Sequence, residues 1–363
     1  MTNRTAALSL AAAIAALCSG RGVLPGAAAL SAPPPAGRTG PPPPPPPEID
    51  RRSVLTSAAA AAAASAAASS PLLLLPRAAR AASAAAVAGG SRVPLAGPTG
   101  PKSGFPLASF GLQVYDDAKA YDLTLTAIEA GYRNFFASVL AGNQRGFARA
   151  VRDCGIPRDE LYICGTVLSN RARGEEASYR KTKVGCEENL EAMAAGGVER
   201  LDMIMLDYPG PDDDSIRGQW RAFEEMKRGG TVDSLAVSNF SPSQLDVVLG
   251  MPDVTRPTVN QLPYSLAYHP PGILEYNRER DILVQSWSPL SRVLTNPTFR
   301  PVLASIGSKY GKSSAQVGLR WIVQNGASFS TQSKKKEHFV EDINVFDFEL
   351  SRDEMDRLTK LAA

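Results

Sequence analysis

The chain has 363 residues, with 39 Lys or Arg against 36 Asp or Glu, and its net charge of +3 is unevenly carried. Through Tyr115 nine basic residues face two acids, Glu48 and Asp50, for +7, while the remainder sets 30 bases against 34 acids, for −4. The basic balance therefore belongs to the N-terminal stretch and gives no support to nucleic-acid binding; four cysteines without a C-x-x-C pair and only two histidines argue against a disulfide framework or any metal centre.

In chain order, residues 1–100 are dominated by Ala, Pro, Ser and Arg, with a proline run at Pro41–Pro47. Such composition cannot bury enough varied apolar surface to offset chain entropy, so the segment is expected to be disordered. Arg-rich, Ser-rich and acid-poor, it reads as an organelle transit peptide. Within it Arg51-Arg52-Ser53-Val54-Leu55 precedes an Ala-rich stretch and then Ala86-Val87-Ala88. A twin arginine, a weakly apolar region and an A-x-A cleavage signal in that order make a two-part address: into a chloroplast, then on to the thylakoid lumen. Met1–Cys18, apolar after Arg4, also reads as an ER signal of the kind complex plastids require, and a low-complexity tail is the plain alternative. Membrane insertion is not expected, because Pro71 and several serines break the only long apolar run.

From residue 103 the pattern alternates. Strand-like apolar runs fall at Asn134–Phe136, Leu161–Thr166, Leu201–Leu206, Ser234–Val237, Thr258–Gln261 and Ile282–Trp287. Helices separate them. Ser241-Pro242-x-Gln244 combines an N-cap, a first-turn proline and a capping-box partner. Ser313-x-x-Gln316 opens another helix whose Ala315, Leu319, Ile322 and Val323 share a face until Gly326, and Ser351-x-x-Glu354 opens the last. Buried-type strands alternating with helices predict a parallel α/β domain over 103–363. Without G-x-G-x-x-G or a P-loop, a closed barrel is favoured over an open nucleotide-binding sheet. Cys164, inside an apolar run, is expected to be a buried free thiol.

Seven segments then occur in a telling order: Gly131-Tyr132-Arg133, Ala236-Val237-Ser238-Asn239-Phe240, Val259-Asn260-Gln261, His269-Pro270, Trp287-Ser288-Pro289-Leu290, Lys309-Tyr310-Gly311-Lys312 and Val345-Phe346-Asp347-Phe348-Glu349-Leu350. The ordered set, spanning Phe105–Leu361, resembles the aldo-keto reductases. The resemblance implies a (β/α)8 TIM barrel with its site at the C-terminal ends of the strands. It also implies NADPH-dependent reduction of a small-molecule carbonyl, in which a Tyr donates the proton, a Lys–Asp pair lowers its pKa and a His orients the substrate.

At those four positions this chain reads Ala141, Thr166, Phe136 and Asp207. Ala141 has no hydroxyl, and Phe136 and Thr166 are uncharged, so neither half of an ion pair is left alone in the interior. The expectation is a family member weak or inactive in carbonyl reduction, a pseudoenzyme. One catalytic alternative keeps Asp207 as a protonated acid of raised pKa, and a ligand- or protein-binding barrel is another. For the cofactor, the resemblance implies Ser238, Asn239 and Gln261 at the carboxamide, Trp287 stacking on the nicotinamide, and Ser288 and Leu290 along the pyrophosphate. Ser333, Glu341 and Asp342 fall at the adenosine end, where Gln332 and His338 replace the family's Lys and Arg. Lys334-Lys335-Lys336 restores charge only as flexible points, so weak NADPH binding is expected. The chain ends at Ala363, before the segment with which family members cover the substrate, and an open substrate pocket is expected.

Overall fold

The computed structural model describes residues 92–95, 104–139 and 141–362. The transit peptide, the twin-arginine signal with its Ala86-Val87-Ala88 site, the membrane reading of the Ala-rich run and Cys18 lie outside the described residues.

Two short strands come first, β1 (Arg92–Val93) and β2 (Phe105–Pro106), paired antiparallel. The barrel strands follow: β3 (Ala108–Gly111), β4 (Asn134–Phe136), β5 (Tyr162–Leu168), β6 (Leu201–Asp207), β7 (Val232–Ser238), β8 (Val259–Pro263), β9 (Leu283–Trp287) and β10 (Ser328–Thr331). The helices between and after them are α1 (Asp117–Ala130), α2 (Gln144–Asp153), α3 (Glu175–Ala194), α4 (Asp213–Arg228), α5 (Pro242–Leu249), α6 (Ile273–Arg278), α7 (Phe299–Tyr310), α8 (Ser314–Gln324), α9 (Lys336–Ile343) and α10 (Arg352–Thr359). β3 to β10 pair in parallel in chain order, and β10 returns to β3 to close an eight-stranded barrel. The (β/α)8 expectation is met.

Local signals explain the element boundaries. Ser241, Ser313 and Ser351 each accept from the backbone three residues on, and Gln244, Gln316 and Glu354 return the bond, giving three capping boxes. Of the face expected on α8, Ala315, Leu319 and Ile322 are buried and Val323 only partly, and the helix ends just before Gly326 at φ 85°.

Two apolar clusters follow from strand alternation. The larger packs the helices onto the outer faces of the strands, with Phe110, Phe135, Ile204, Val237, Trp220 and Trp321 among its members. The smaller fills the barrel lumen: Phe136, Cys164, Met203, Met205, Ala236 and Val259, joined by Leu95 and Phe105. Phe105 meets Tyr162, the first residue of β5, edge-on at 5.1 Å, so the β1–β2 hairpin plugs the N-terminal end of the lumen. Residues 92–95, which composition groups with the leading segment, thus pack with the barrel. Cys164 is fully buried and free, and burial pushes its thiol pKa far up.

Candidate functional site

Lumen-facing polar residues form a belt that runs from the C-terminal ends of β6 and β7 through the middles of β8 and β9 to the start of β10. Neighbouring strands set Asp207 beside Ser238, Ser238 beside Gln261, Gln261 beside Gln285 and Gln285 beside Ser328. The strand period of two that turns Met203 and Met205 inward carries Asp207 into the same column.

Phe136, at the end of β4, is fully buried in the lumen cluster and contributes packing only. Thr166 on β5 donates its hydroxyl to the Ala137 carbonyl at 3.0 Å and accepts from the Val139 amide at 3.3 Å, so its single O–H is committed to the backbone. Ala141 lies partly exposed on the loop before α2, its amide 3.4 Å from the Ser138 hydroxyl. Asn143 holds that loop in place: its side-chain amide donates to the Leu112 and Tyr115 carbonyls, and its oxygen accepts from the Ser138 amide.

Asp207 is half-buried and accepts from the side chains of Ser238 and Asn239. Burial raises its pKa from 3.8 to about 6, against the opposing pull of those two donors, and no basic group contributes. Its neighbour Tyr208 is pushed up to about 12, chiefly by burial and then by the charge of Asp207, and stays neutral.

Asn239 also donates to the Ser238 hydroxyl at 2.9 Å and accepts from the Trp287 indole N–H at 3.0 Å. Gln261 donates to Gln285 at 2.6 Å, and Gln285 donates to Ser109 at 2.9 Å, carrying the belt across the lumen. Gln285 and Ser109 are missed by motif reading; their only signal is a polar residue in the inward phase of a strand. Tyr208, Asn239 and Ser288, each just past a strand end, have φ of 66°, 62° and 50°, backbone strain of the kind that collects at functional sites.

Beside the belt, a cavity of about 190 Å3 is lined by Ser288, Leu290, Ser330, Thr331, Gln332 and Asp342, among others. Asp342 is buried and is the one charged side chain in that lining. Ser333 is turned away onto His338, at 3.1 Å from the ring Nδ1, and onto the Lys335 amide. Lys334, Lys335 and Lys336 are exposed, and Lys336 pairs with Glu129 at 2.9 Å. Glu341 is only partly buried, and its backbone carbonyl accepts from Gln316. The structure thus brings together Asp207, Ser238, Asn239, Gln261 and Trp287, and beside them Ser288, Leu290 and Asp342; Ser333 and Glu341 stand outside both groups.

The aldo/keto reductase family profile matches residues 104–363, the whole of this barrel. The chain belongs to that family. Among its relatives it is similar to the glyoxal reductase of Bacillus subtilis, 30% identical over 264 residues and covering 71% of this chain and 90% of the relative. It is equally similar to the 9,11-endoperoxide prostaglandin H2 reductase of Trypanosoma cruzi, 30% identical over 263 residues, 70% of this chain and 88% of that one. A crystallised aldo/keto reductase from Brucella melitensis superposes with a TM-score of 0.65 at 27% identity, covering 74% of this chain and 99% of its own.

Family membership raises the question of whether these residues fit a nicotinamide dinucleotide phosphate. The nicotinamide end retains its aromatic wall in Trp287, but the polar atoms of Ser238 and Asn239 are spent on Asp207, Trp287 and each other. At the phosphate end the cavity lining contains no Lys or Arg, so it supplies no side-chain cation to meet a phosphate. Among the described residues no cluster of three or more His, Cys, Asp or Glu is placed to hold a metal ion, and no helix is long and apolar enough to cross a membrane.

Proposed function

We propose that this chain is a divergent aldo/keto reductase-family barrel that binds NADPH weakly and is weak or inactive in carbonyl reduction. The observation that carries the reading is the fate of the Thr166 hydroxyl: its one proton is donated to the Ala137 carbonyl, and it stands where the resemblance implies a cationic Lys. With Phe136 packed into the plug and Ala141 without a hydroxyl, no group at these positions offers a proton to a carbonyl oxygen. The lack of a Lys or Arg in the lining of the neighbouring cavity supports the second half of the reading, weak nucleotide binding.

Titrating the protein with NADPH while following nucleotide fluorescence tests this. The expected result is weak binding, with no turnover, or only slow turnover, of a panel of aldehydes. Tight binding with rapid turnover would overturn the proposal.

A second reading has one observation in its favour. The raised pKa of Asp207 makes it a candidate proton donor for an active, NADPH-dependent carbonyl reductase. At about 6, however, that carboxyl is roughly nine-tenths ionised at neutral pH, so an acid role confines activity to mildly acidic conditions. Rapid turnover that is lost in Asp207→Asn would select this reading. The chloroplast address, with the thylakoid lumen as its second stage, is likewise a proposal and rests on the composition and motifs of residues 1–100. Imaging residues 1–103 fused to a fluorescent protein tests it, and a cytosolic signal would dispose of it.

A further inference from the structure

The charge on Asp207 lacks something that other buried carboxylates of this domain possess. Asp202 on β6 pairs with Arg158 at 2.9 Å, Asp233 on β7 pairs with Arg200, and Glu354 pairs with Lys309 at 2.8 Å. Each has a side chain no more than 10% exposed, and each has its counter-ion. Asp207 stands on the same strand as Asp202, five residues on at the opposite end, and its partners are the neutral donors Ser238 and Asn239. Nothing cationic compensates it: the residues beside it on the neighbouring strands are Leu168 on β5 and Ser238 on β7. Two neutral hydrogen bonds orient a carboxylate without neutralising it, and holding it partly desolvated is costly unless a cation arrives.

The surroundings suit an organic cation better than a metal ion. Hard cations take several oxygen ligands, and here only one carboxylate is available, its neighbours being side chains already bonded to each other. Trp287, half-buried, supplies aromatic surface near it and is joined to the carboxylate through Asn239. We propose that the barrel mouth is a recognition site for a small organic cation, a protonated amine or quaternary ammonium, with the ionised carboxylate of Asp207 as its counter-ion. An ammonium there forms a charge-assisted hydrogen bond, and its organic body covers the aromatic surface. This site does not depend on nucleotide binding and stands whether or not NADPH is held weakly.

The test uses benzylamine, which is cationic at neutral pH, and benzyl alcohol, its uncharged counterpart of the same shape. Binding is read by calorimetry and by tryptophan emission. Trp220 and Trp321 are fully buried, so Trp287 is the described indole open to a ligand at the mouth. At pH 8 benzylamine should bind at least about tenfold more tightly than benzyl alcohol. Asp207→Asn should erase that preference, while Asp207→Glu, which keeps the charge, should retain most of it. Lowering the pH through 6 should weaken benzylamine binding in the wild type and leave the alcohol unchanged. Because Tyr208 remains neutral through this range, the change reports Asp207. Equal affinity for amine and alcohol, undiminished amine binding by a folded Asp207→Asn protein, or no binding of benzylamine at millimolar concentration would each overturn the proposal. A separate NADPH titration keeps the two proposals apart, since tight nucleotide binding would end the first and leave the benzylamine result standing.

Discussion

At the scale of one residue, Asp207 couples the lumen to pH. Its carboxyl has a folded pKa near 6 against an ordinary 3.8, so between these values the folded protein binds more protons than the unfolded chain. Stability then falls as pH rises through that window, and the full penalty is present above it. Asparagine has no charge to desolvate and still accepts from Ser238 and Asn239. The Asp207→Asn protein should therefore match the wild type below pH 3.8 and exceed it above pH 6, on the order of 1 kcal/mol after allowing for partial exposure. Thermal melts at pH 3.5 and pH 8 check this, and a gain of the same size at both would refute the desolvation argument. Motif position locates Asp207, Ser238, Asn239 and Trp287 from sequence. Their bonding to one another is invisible there, because it depends on which atoms the neighbouring strands offer. The commitment of the Thr166 hydroxyl to Ala137 and Val139 is hidden for the same reason.

At the scale of elements, local chemistry and strand burial were unequally legible. The capping boxes could be read directly, because a Ser and a Gln or Glu three residues apart satisfy each other's backbone whatever surrounds them. Removing the Ser313 hydroxyl leaves the Gln316 amide at the first turn of α8 without its acceptor. Ser313→Ala should cost about 1 kcal/mol in chemical denaturation, with an unchanged m-value. An unaltered midpoint would mean that water replaces the cap at no cost. The strands β4 to β9 stood out as apolar runs because helices cover their outer faces. β3 and β10 did not: Ser109, Gly111, Ser328, Ser330 and Thr331 give them the composition of loops. Those polar residues belong to the belt and the neighbouring cavity, so the same feature that makes the two strands functionally suggestive removes the hydrophobic signal of a strand.

At the scale of the whole molecule, closure depends on this poorly signalled pair. β3 and β10 meet across more than two hundred residues of sequence, in register from Phe329 beside Ala108 to Thr331 beside Phe110. Polar links reinforce the seam: Tyr132 to Thr331 at 2.9 Å, Gln332 to Gln113 at 3.0 Å, and Gln285 to Ser109 at 2.9 Å. Gly111 permits the close fit. A Cβ at this position would lie 2.8 Å from the Ser330 hydroxyl and closer still to the Gln113 side-chain oxygen. Alanine asks the end of Gln113 and the Ser330 hydroxyl to move aside, whereas the branches of valine press further on β10. Gly111→Val should therefore cost about 1–3 kcal/mol and Gly111→Ala distinctly less, read as denaturation midpoints. Ser330 and Gln332 line the cavity beside the belt, so a wedge at the seam acts on both properties. If Gly111→Val leaves the midpoint where it was, the seam is not close-packed and the barrel is held shut elsewhere. If it lowers the midpoint while amine binding at Asp207 survives, closure and recognition are separable parts of the same mouth.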